Sequence, residues 1–231
     1  MPRSGRLILP GYPHHVMQQG FRGQTVFHTD GDFRKYLRDM RELREELGVR
    51  IYAWCLLSNQ VHLLLDPGSD PEALPEFMKA LSLRTTRHRN RRRQQNGSLW
   101  EGRYRSSPVQ TGYWFLAALR GIELQAVMLG EAAHVGSYRW SSYRERMGRA
   151  EPYCLDPHAD YMALGRTDEE RRESYRLLMR QGQSEQEWRH IELALRRSQP
   201  IGDDMFTQSA AIKASRTVTS RNRTRPRSRK S

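Results

Sequence analysis

The sequence predicts an α+β fold in which a ferredoxin-like, split βαβ domain precedes a small C-terminal helical unit and a disordered basic tail. Three observations lead to this prediction. Apolar and turn patterns follow the order β-α-β-β-α-β-α in the first half of the 231-residue chain. The short turn 58–60 joins two apolar strands, which indicates an antiparallel hairpin. Residues 208–231 contain 8 basic and 0 acidic side chains, a composition typical of disorder. The predicted units are therefore 1–150, 151–207 and 208–231.

The first strand is predicted at 14–19, where the sequence His-His-Val-Met-Gln-Gln alternates weakly and ends at Gly20. A helix is predicted from Asp30 to Leu47, because apolar residues recur there at spacings of three and four. Gly48 follows the last apolar residue and is expected to end this helix.

The central hairpin is predicted from the apolar runs 49–57 and 61–65. A second helix follows over 71–93, and its C-terminal part is rich in arginine. A strand around 104–109 and an apolar helix over about 111–125 complete the first domain. In a split βαβ arrangement, the helices are expected on one face of the sheet.

The C-terminal unit is predicted to be helical. The segment 138–143 reads as a turn and short helix that closes the first domain. Helices are then expected over 167–181 and 184–197, and Ser184 with Glu187 matches a capping box at the start of the second.

The charge balance indicates a polyanionic partner. Lys and Arg number 39 and Asp and Glu number 26, which gives a formal net charge of +13. The excess is uneven: it is concentrated in residues 1–110 and in the tail, whereas 111–207 are slightly acidic. A coding bias toward arginine is the alternative explanation for the composition, since only four of the basic residues are lysine.

The two cysteines, Cys55 and Cys154, form neither a disulfide framework nor a metal-binding box. The longest apolar run near the N-terminus is too short for a signal peptide or a membrane span. A cytoplasmic location without membrane contact is therefore expected.

The hairpin contains the first residues with chemical potential. On a strand, positions 60 and 62 project to the same face, so Gln60 and His62 are expected side by side. They could hold a divalent metal through an amide oxygen and an imidazole nitrogen. The alternative is a polar pair at a strand end that the next helix satisfies. The adjacent His14 and His15 face opposite ways and are interpreted as structural.

Five blocks of the sequence resemble one known family. They are RLILPGYPHHVMQQG, NQVHLLL, SLWEGRYRSSPVQ, RGIELQAVMLG and YRWSSY, and they occur between residues 6 and 143. In order and spacing they resemble the REP-associated tyrosine transposases of the IS-200-like, HUH-endonuclease superfamily. The resemblance extends over about residues 1–205 and leaves out the basic tail.

This resemblance implies a domain that binds a DNA hairpin and cleaves single-stranded DNA in DNA transposition and recombination. In such enzymes a tyrosine attacks the scissile phosphate, and Mg²⁺ or Mn²⁺ held by a His-hydrophobe-His motif polarises that phosphate. The chemistry needs both parts, because a phosphodiester repels nucleophiles until its charge is neutralised.

The family's catalytic residues are only partly present. The resemblance assigns His62 to the second histidine and Gln125 to the ligand on the helix, but Gln60 replaces the first histidine. The expected metal site is therefore weakened, although an amide oxygen can still face Mg²⁺. At the position of the nucleophilic tyrosine the chain has Gly121, which has no atom that can attack phosphorus. Tyr104, on the preceding strand, is a poor substitute.

Several arginines are predicted to contact DNA. The arginines at the end of the second helix lie on more faces of the helix than one salt-bridge ladder would use, and few acidic residues are near them in sequence. Contact with DNA phosphates is therefore expected. The alternative is a solvated charged face. Trp100 and Tyr104 alternate with Arg103 and Arg105, which is typical of base stacking but equally of a core. The predicted DNA-binding residues are Arg3, Arg6, Arg84, Arg87, Arg89, Arg91, Arg92, Arg93, Arg103 and Arg105.

The sequence as a whole therefore favours a protein that binds hairpin or single-stranded DNA and has lost or impaired catalysis. Two alternatives remain: an active metal-dependent nuclease that uses Tyr104 or water, and a basic RNA-binding protein. A homodimer remains open, but exchange of helices would not restore the nucleophile because both subunits carry Gly121.

Overall fold

The computed structural model describes residues 7–94 and 96–213. Its four strands are β1 (His14–Gln19), β2 (Arg50–Leu56), β3 (Gln60–Asp66) and β4 (Arg105–Pro108). They form one sheet in the order β2-β3-β1-β4, and all neighbouring strands are antiparallel. This order confirms the predicted ferredoxin-like, split βαβ arrangement.

Seven α-helices are bounded within the described residues. They are α1 (Asp30–Leu47), α2 (Ala73–Arg93), α3 (Tyr113–Met128), α4 (Tyr143–Arg146), α5 (Ala159–Met162), α6 (Asp168–Gln181) and α7 (Glu185–Arg197). The boundaries of α1 match the prediction, since a capping box starts it at Thr29 and Gly48 ends it with a left-handed φ of 65°. Ser184 and Glu187 form the predicted capping box of α7. The single-turn helix α5 was not predicted, because four residues are too few for a periodic signal.

A further helix covers residues 204–213, which corrects the predicted start of the disordered tail at 208. The Asp203 carboxylate accepts a hydrogen bond from the Phe206 backbone N–H at 2.8 Å and so caps this helix. Phe206 and Ala210 are buried against Leu9, and this packing orders residues that composition alone assigns to the tail. Residues 214–231 of the predicted tail lie outside the described residues.

Helices cover both faces of the sheet, so the expectation of helices on one face is wrong. Helices α1 and α2 pack on the face that presents Val16 and Leu63. Helices α3, α6 and α7 contribute to a second apolar cluster, which includes Cys55 and Leu64. The physical reason is that β2 and β3 are apolar on both faces, so both faces must be buried.

The outer edge of β2 is also covered. The backbone N–H of Leu56 donates to Trp140 O, and the Ser142 N–H donates to Trp54 O, both at 2.8 Å. Farther along the strand, the Asp156 N–H donates to Ile51 O at 2.8 Å. The segment after α3 therefore satisfies the backbone groups of an edge strand that could otherwise pair with another chain.

Cys55 and Cys154 are free and buried. No helix in the described part of the chain has the length and apolar character needed to cross a bilayer.

Candidate functional site

A cleft of about 340 Å³ lies on the sheet face that α3 and α7 cover. Strands β1, β3 and β4 form its floor, and α3 and α7 form its walls. Its polar side chains come from every one of these elements. They are His15, Gln19, Gln60, His62, Arg105, Gln125, Glu192 and Arg196.

The strand register explains why these residues meet. His62 of β3 lies opposite Met17 of β1, and Gln60 lies opposite Gln19. Because side chains alternate between faces, the even positions of β3 and the odd positions of β1 share one face. The predicted neighbours Gln60 and His62 do line the same cleft.

His15 joins this site, which the sequence analysis missed. Its Nε2 lies 3.1 Å from Nδ1 of His62. Because adjacent positions on a strand face opposite ways, one of the two histidines, His15, faces the cleft. Two signals could have identified His15. Strand β1 pairs antiparallel with β3, and the odd-numbered positions of β1 face the same side of the sheet as His62.

His14 is structural, as predicted. Its Nε2 accepts a hydrogen bond from the Leu9 N–H at 3.1 Å, and its Nδ1 lies 2.8 Å from the Tyr12 carbonyl, to which it donates. Burial lowers the pKa of His14 to about 4. The ring is therefore neutral, and its two hydrogen bonds hold the segment before β1 in place.

Burial also keeps the two cleft histidines neutral. It lowers the pKa of His62 to about 4 and that of His15 well below its ordinary value, and the neighbouring His62 adds to the effect on His15. The His15 Nδ1 and the His62 Nε2 are both buried without a hydrogen-bond partner in the described structure. When His62 donates its Nδ1–H to His15 Nε2, the His62 Nε2 carries a free lone pair, the form that binds metals.

The donor set of the cleft fits a divalent cation only weakly. The three ligands expected from the sequence line the cleft: the imidazole of His62 and the amides of Gln60 and Gln125. Within the described residues, no three His, Cys, Asp or Glu side chains are grouped to hold a metal ion. All three donors are uncharged, so they neutralise less of the charge of Mg²⁺ than carboxylates would. Mn²⁺, which accepts both imidazole and oxygen ligands, fits this set better.

Gly121 lies on α3 one turn before Gln125, and the side chain of Gln183 occupies the space next to it. A Cβ atom at position 121 would lie 2.8 Å from Gln183 Oε1 and 3.0 Å from Nε2. Gln183 lies in the loop between α6 and α7. The loop between α6 and α7 therefore occupies the space into which a side chain at 121 would project.

A buried ion pair fastens α7 to α3. The Arg120 guanidinium donates to both Glu187 carboxylate oxygens, at 2.8 and 2.9 Å, and the Tyr113 hydroxyl donates to Oε1 at 2.6 Å. Burial opposes ionisation of Glu187, but hydrogen bonds from Tyr113 and Ser184 and the Arg120 charge lower its pKa overall. Tyr113 is thereby held by Glu187 at the start of α3, about two turns before Gly121.

Tyr104 is not positioned to replace the nucleophile. It is 7% exposed and packs in the apolar cluster between the sheet and helices α1 and α2. His62 and Gln125 line the cleft on the opposite face. The sheet itself separates the Tyr104 ring from that cleft.

Trp100 is also part of the core, which settles the two interpretations of the aromatic cluster around it. Its ring is 4% exposed, and its Nε1–H donates to the Ser82 carbonyl at 3.4 Å. Trp100 and Tyr104 are therefore not available to stack bases, whereas Arg103 and Arg105 are exposed.

The arginines of α2 differ in their partners. Arg84 lies within 4 Å of three carboxylates on α1, so the expectation of few acidic neighbours is wrong for this residue. Arg92 pairs with Asp32 at 3.5 Å, and Arg89 donates to the Gln24 side chain at 2.8 Å. The exposed arginines without an ion pair in the described structure are Arg87, Arg91 and Arg93. Arg3 and Arg6 lie outside the described residues.

The comparisons with known proteins agree with the resemblance stated from the sequence. Residues 11–114 match the sequence family described as "Transposase IS200 like". The fold is similar to the structure of a REP-associated tyrosine transposase bound to a REP hairpin, with a TM-score of 0.56 and 14% identity. That alignment covers 68% of this chain and 93% of the other.

A transposase structure from Deinococcus radiodurans also matches, at 24% identity and a TM-score of 0.34, over 47% of this chain and 87% of that one. No curated protein is significantly similar in sequence.

Proposed function

Because residues 11–114 match the IS200-like transposases and the chain shares the fold of a REP-associated tyrosine transposase, we propose that this protein binds hairpin DNA without tyrosine-mediated cleavage. It keeps the DNA-binding scaffold of a transposase and lacks the group that forms a covalent DNA intermediate. In this proposal it recognises hairpins but does not carry out strand exchange itself.

One observation carries the proposal: position 121 is glycine, and the side chain beside it, Gln183, brings no nucleophile. A covalent step needs an oxygen in line with the scissile phosphate, and glycine provides none. Gln183 occupies the adjacent space, and its amide group cannot replace the missing hydroxyl as a nucleophile. Tyr104 and Tyr113 are held elsewhere, by the core and by Glu187 respectively.

The arginines support DNA binding independently of the cleft. Arg87, Arg91 and Arg93 of α2 are exposed and keep their charge available for phosphates. Arg103 and Arg105 add exposed positive charge on and beside β4, and Arg105 also lines the cleft.

A weak divalent-cation site is part of the proposal. His62, Gln60 and Gln125 would hold the ion, and His15 would orient His62. When bound, a divalent cation there neutralises phosphate charge. In a protein without the tyrosine, that contribution serves to hold a DNA phosphate.

Two alternatives are less well supported. An RNA-binding sheet needs an open face with aromatic side chains, but helices pack on both faces here. A nuclease that uses water would need a general base. The cleft offers only the two buried histidines and Glu192, a residue that lies within 3.7 Å of Arg196.

The test is a binding and cleavage assay with purified protein, Mn²⁺ and REP-like hairpin DNA. We expect a mobility shift on a native gel, with no covalent adduct and no nicked product on a denaturing gel. An unpaired oligonucleotide and a plain duplex serve as controls for hairpin preference. A 5′-linked adduct on any tyrosine would overturn the proposal, and nicking without an adduct would favour the water-dependent nuclease.

A gain-of-function variant tests whether the scaffold is otherwise intact. Gly121→Tyr with Gln60→His restores the missing groups, and Gln183→Ala makes room for the new ring. An adduct in the triple variant but not in wild type would support loss of the nucleophile as the cause of inactivity.

A further inference from the structure

A second cleft, of about 580 Å³, lies on the other side of the molecule at the outer edge of β2. Helix α1 forms one wall, and the segment 139–153 that covers the β2 edge forms the other. None of the predicted DNA-binding residues belongs to it. It is separate from the cleft that contains His62, which lies on the opposite face of the sheet.

Five arginines line this cleft, which we call the arginine cleft. They are Arg34, Arg38, Arg41, Arg139 and Arg144. The first three recur at spacings of four and three on α1, so they form one stripe along the helix. The stripe spans about 10 Å of helix axis, which is long enough to contact more than one phosphate of a DNA strand.

Much of this charge has no carboxylate partner. Arg38, Arg41 and Arg144 form no ion pair within the described residues, while Arg34 and Arg139 share Asp30 at 3.4 and 2.9 Å. This differs from α2, where the single residue Arg84 lies within 4 Å of three carboxylates. The arginine cleft therefore has available positive charge.

The two acidic side chains of the cleft, Glu145 and Glu151, offset only part of the charge of its five arginines and form no ion pair with them within the described residues. Glu145 Oε1 accepts hydrogen bonds from three consecutive backbone N–H groups, those of residues 153–155. It is thus committed to holding the wall in place. Glu151 is exposed and forms no ion pair within the described part of the chain.

Aromatic rings hold two of the guanidinium groups in position. The Arg139 guanidinium carbon lies 4.7 Å from the centre of the Trp140 ring, and that of Arg41 lies 4.8 Å from the centre of the Tyr153 ring. Trp140 is itself stacked on Phe33 with ring centres 4.5 Å apart. Arginines supported on rings lose less freedom when they bind a phosphate and offer their outer faces for base stacking.

We propose that the arginine cleft binds the phosphate backbone of the unpaired DNA strand that flanks a hairpin. Its length, charge and ring-supported guanidinium groups fit a short stretch of single strand, whereas α2 and β4 provide the surface for the hairpin. This inference rests on the proposed function and extends it with a second contact surface for the same DNA.

The test compares Arg38→Gln/Arg144→Gln with Arg180→Gln/Arg197→Gln. The control pair removes the same charge from exposed arginines of α6 and α7 that form no ion pair within the described residues. The DNA probes are a blunt hairpin, the same hairpin with an unpaired flank, and the flank alone. Binding is measured by fluorescence anisotropy over a range of salt, and circular dichroism confirms that each variant is folded.

We expect wild type to bind the flanked hairpin more tightly than the blunt one. The cleft variant should lose roughly tenfold in affinity for the flanked hairpin and for the flank alone, with a salt dependence shallower by about 1.4 in log–log slope for two lost contacts with single-strand phosphates. Its affinity for the blunt hairpin should match that of the control.

The inference is overturned if the cleft variant and the control bind the flanked hairpin and the flank equally well, or if the loss is the same on the blunt hairpin. Failure of the proposed function looks different: wild type would then show no preference for the hairpin over a plain duplex. The flank alone tests the cleft even in that case.

Discussion

His15 Nε2 lies 3.1 Å from His62 Nδ1, across the pairing of β1 with β3. The contact joins two neutral, buried rings, and each keeps its other nitrogen without a partner in the described structure. One N–H proton lies in this hydrogen bond, and when His62 Nδ1 carries it the His62 Nε2 has a free lone pair. In the proposed cation site, His15 would therefore position His62.

Loss of His15 should weaken cation binding while leaving His62 in place. We expect His15→Ala to raise the Mn²⁺ dissociation constant about tenfold or more, the usual effect of removing the partner of a metal-binding histidine. Electron paramagnetic resonance of free Mn²⁺ measures this directly. His62→Ala should remove the binding, and His28→Ala, at a histidine outside the cleft, should leave it unchanged. Equal Mn²⁺ affinity in wild type and His15→Ala would refute the positioning role.

The contact of Gln183 with Gly121 predicts a strong dependence on side-chain size. Gly121→Ala should be nearly neutral, because the flexible end of Gln183 can move and alanine favours a helix by about 1 kcal/mol. Gly121→Tyr should destabilise the fold by about 1–3 kcal/mol through overpacking against the α6–α7 loop. Urea denaturation measures both changes.

Gln183→Ala provides the control for this steric explanation. If the contact is the cause, Gln183→Ala should recover part of the stability lost in Gly121→Tyr, as a double-mutant cycle would show. Strictly additive effects of the two substitutions would argue that the tyrosine ring is accommodated elsewhere.

The Arg120–Glu187 pair should account for much of the docking of α7 on α3. Both side chains are 10% exposed, and removal of one partner of a buried pair typically costs 3–5 kcal/mol. We expect Glu187→Gln to cost about 3 kcal/mol or somewhat less, because glutamine keeps one acceptor. The exposed pair of Glu185 with Arg189 provides the control, and Glu185→Gln should cost under about 1 kcal/mol.

The same pair predicts part of the acid sensitivity of the protein. The pKa of Glu187 is lower in the folded state than its ordinary value of 4.5. Its contribution to stability is therefore complete above pH 4.5 and is lost as the pH falls through the folded pKa. Denaturation at several pH values should show a shallower acid decline for Glu187→Gln than for wild type. Parallel curves would count against this origin.

His14 predicts a second pH effect, at higher pH. Its pKa is about 4 in the folded state and 6.5 otherwise, because burial disfavours the charged ring. Between these values the unfolded chain binds more protons, so stability is complete above pH 6.5 and falls by up to about 3 kcal/mol as the pH drops toward 4. His14→Gln should be less stable than wild type at pH 7, with the difference shrinking by pH 5. A constant difference would contradict this assignment.

The partners of the α2 arginines predict a division of roles within the cluster. Arg91→Gln/Arg93→Gln should weaken hairpin binding and reduce the log–log salt slope by up to about 1.8, since both side chains are exposed without an ion pair in the described structure. Arg84→Gln should change DNA affinity little, because three carboxylates already neutralise that charge. If loss of Arg84 reduced the salt slope as much as loss of Arg91 or Arg93, the ion pairs of Arg84 with carboxylates of α1 would not prevent it from contacting phosphates.

Local sequence patterns were sufficient for most of the secondary structure. Helix α1 carries its signals in contiguous residues: an apolar stripe, a capping box at Thr29 and a glycine after Leu47. The hairpin of β2 and β3 needs only two apolar runs and a short turn. The split βαβ topology follows from the order of these elements, because few arrangements connect them without crossings.

The composition of the site was decided by long-range contacts. The sequence by itself determined that position 121 has no nucleophile, that Gln60 and His62 share a strand face, and that the chain carries excess positive charge. Only the tertiary structure decided that His15 completes the cleft, that Gln183 fills the space beside Gly121, and that Arg84 is neutralised while the arginine cleft is not. The physical reason is that each of these relationships joins residues of different elements. Strand register and helix packing, which depend on the whole core, bring them within contact distance.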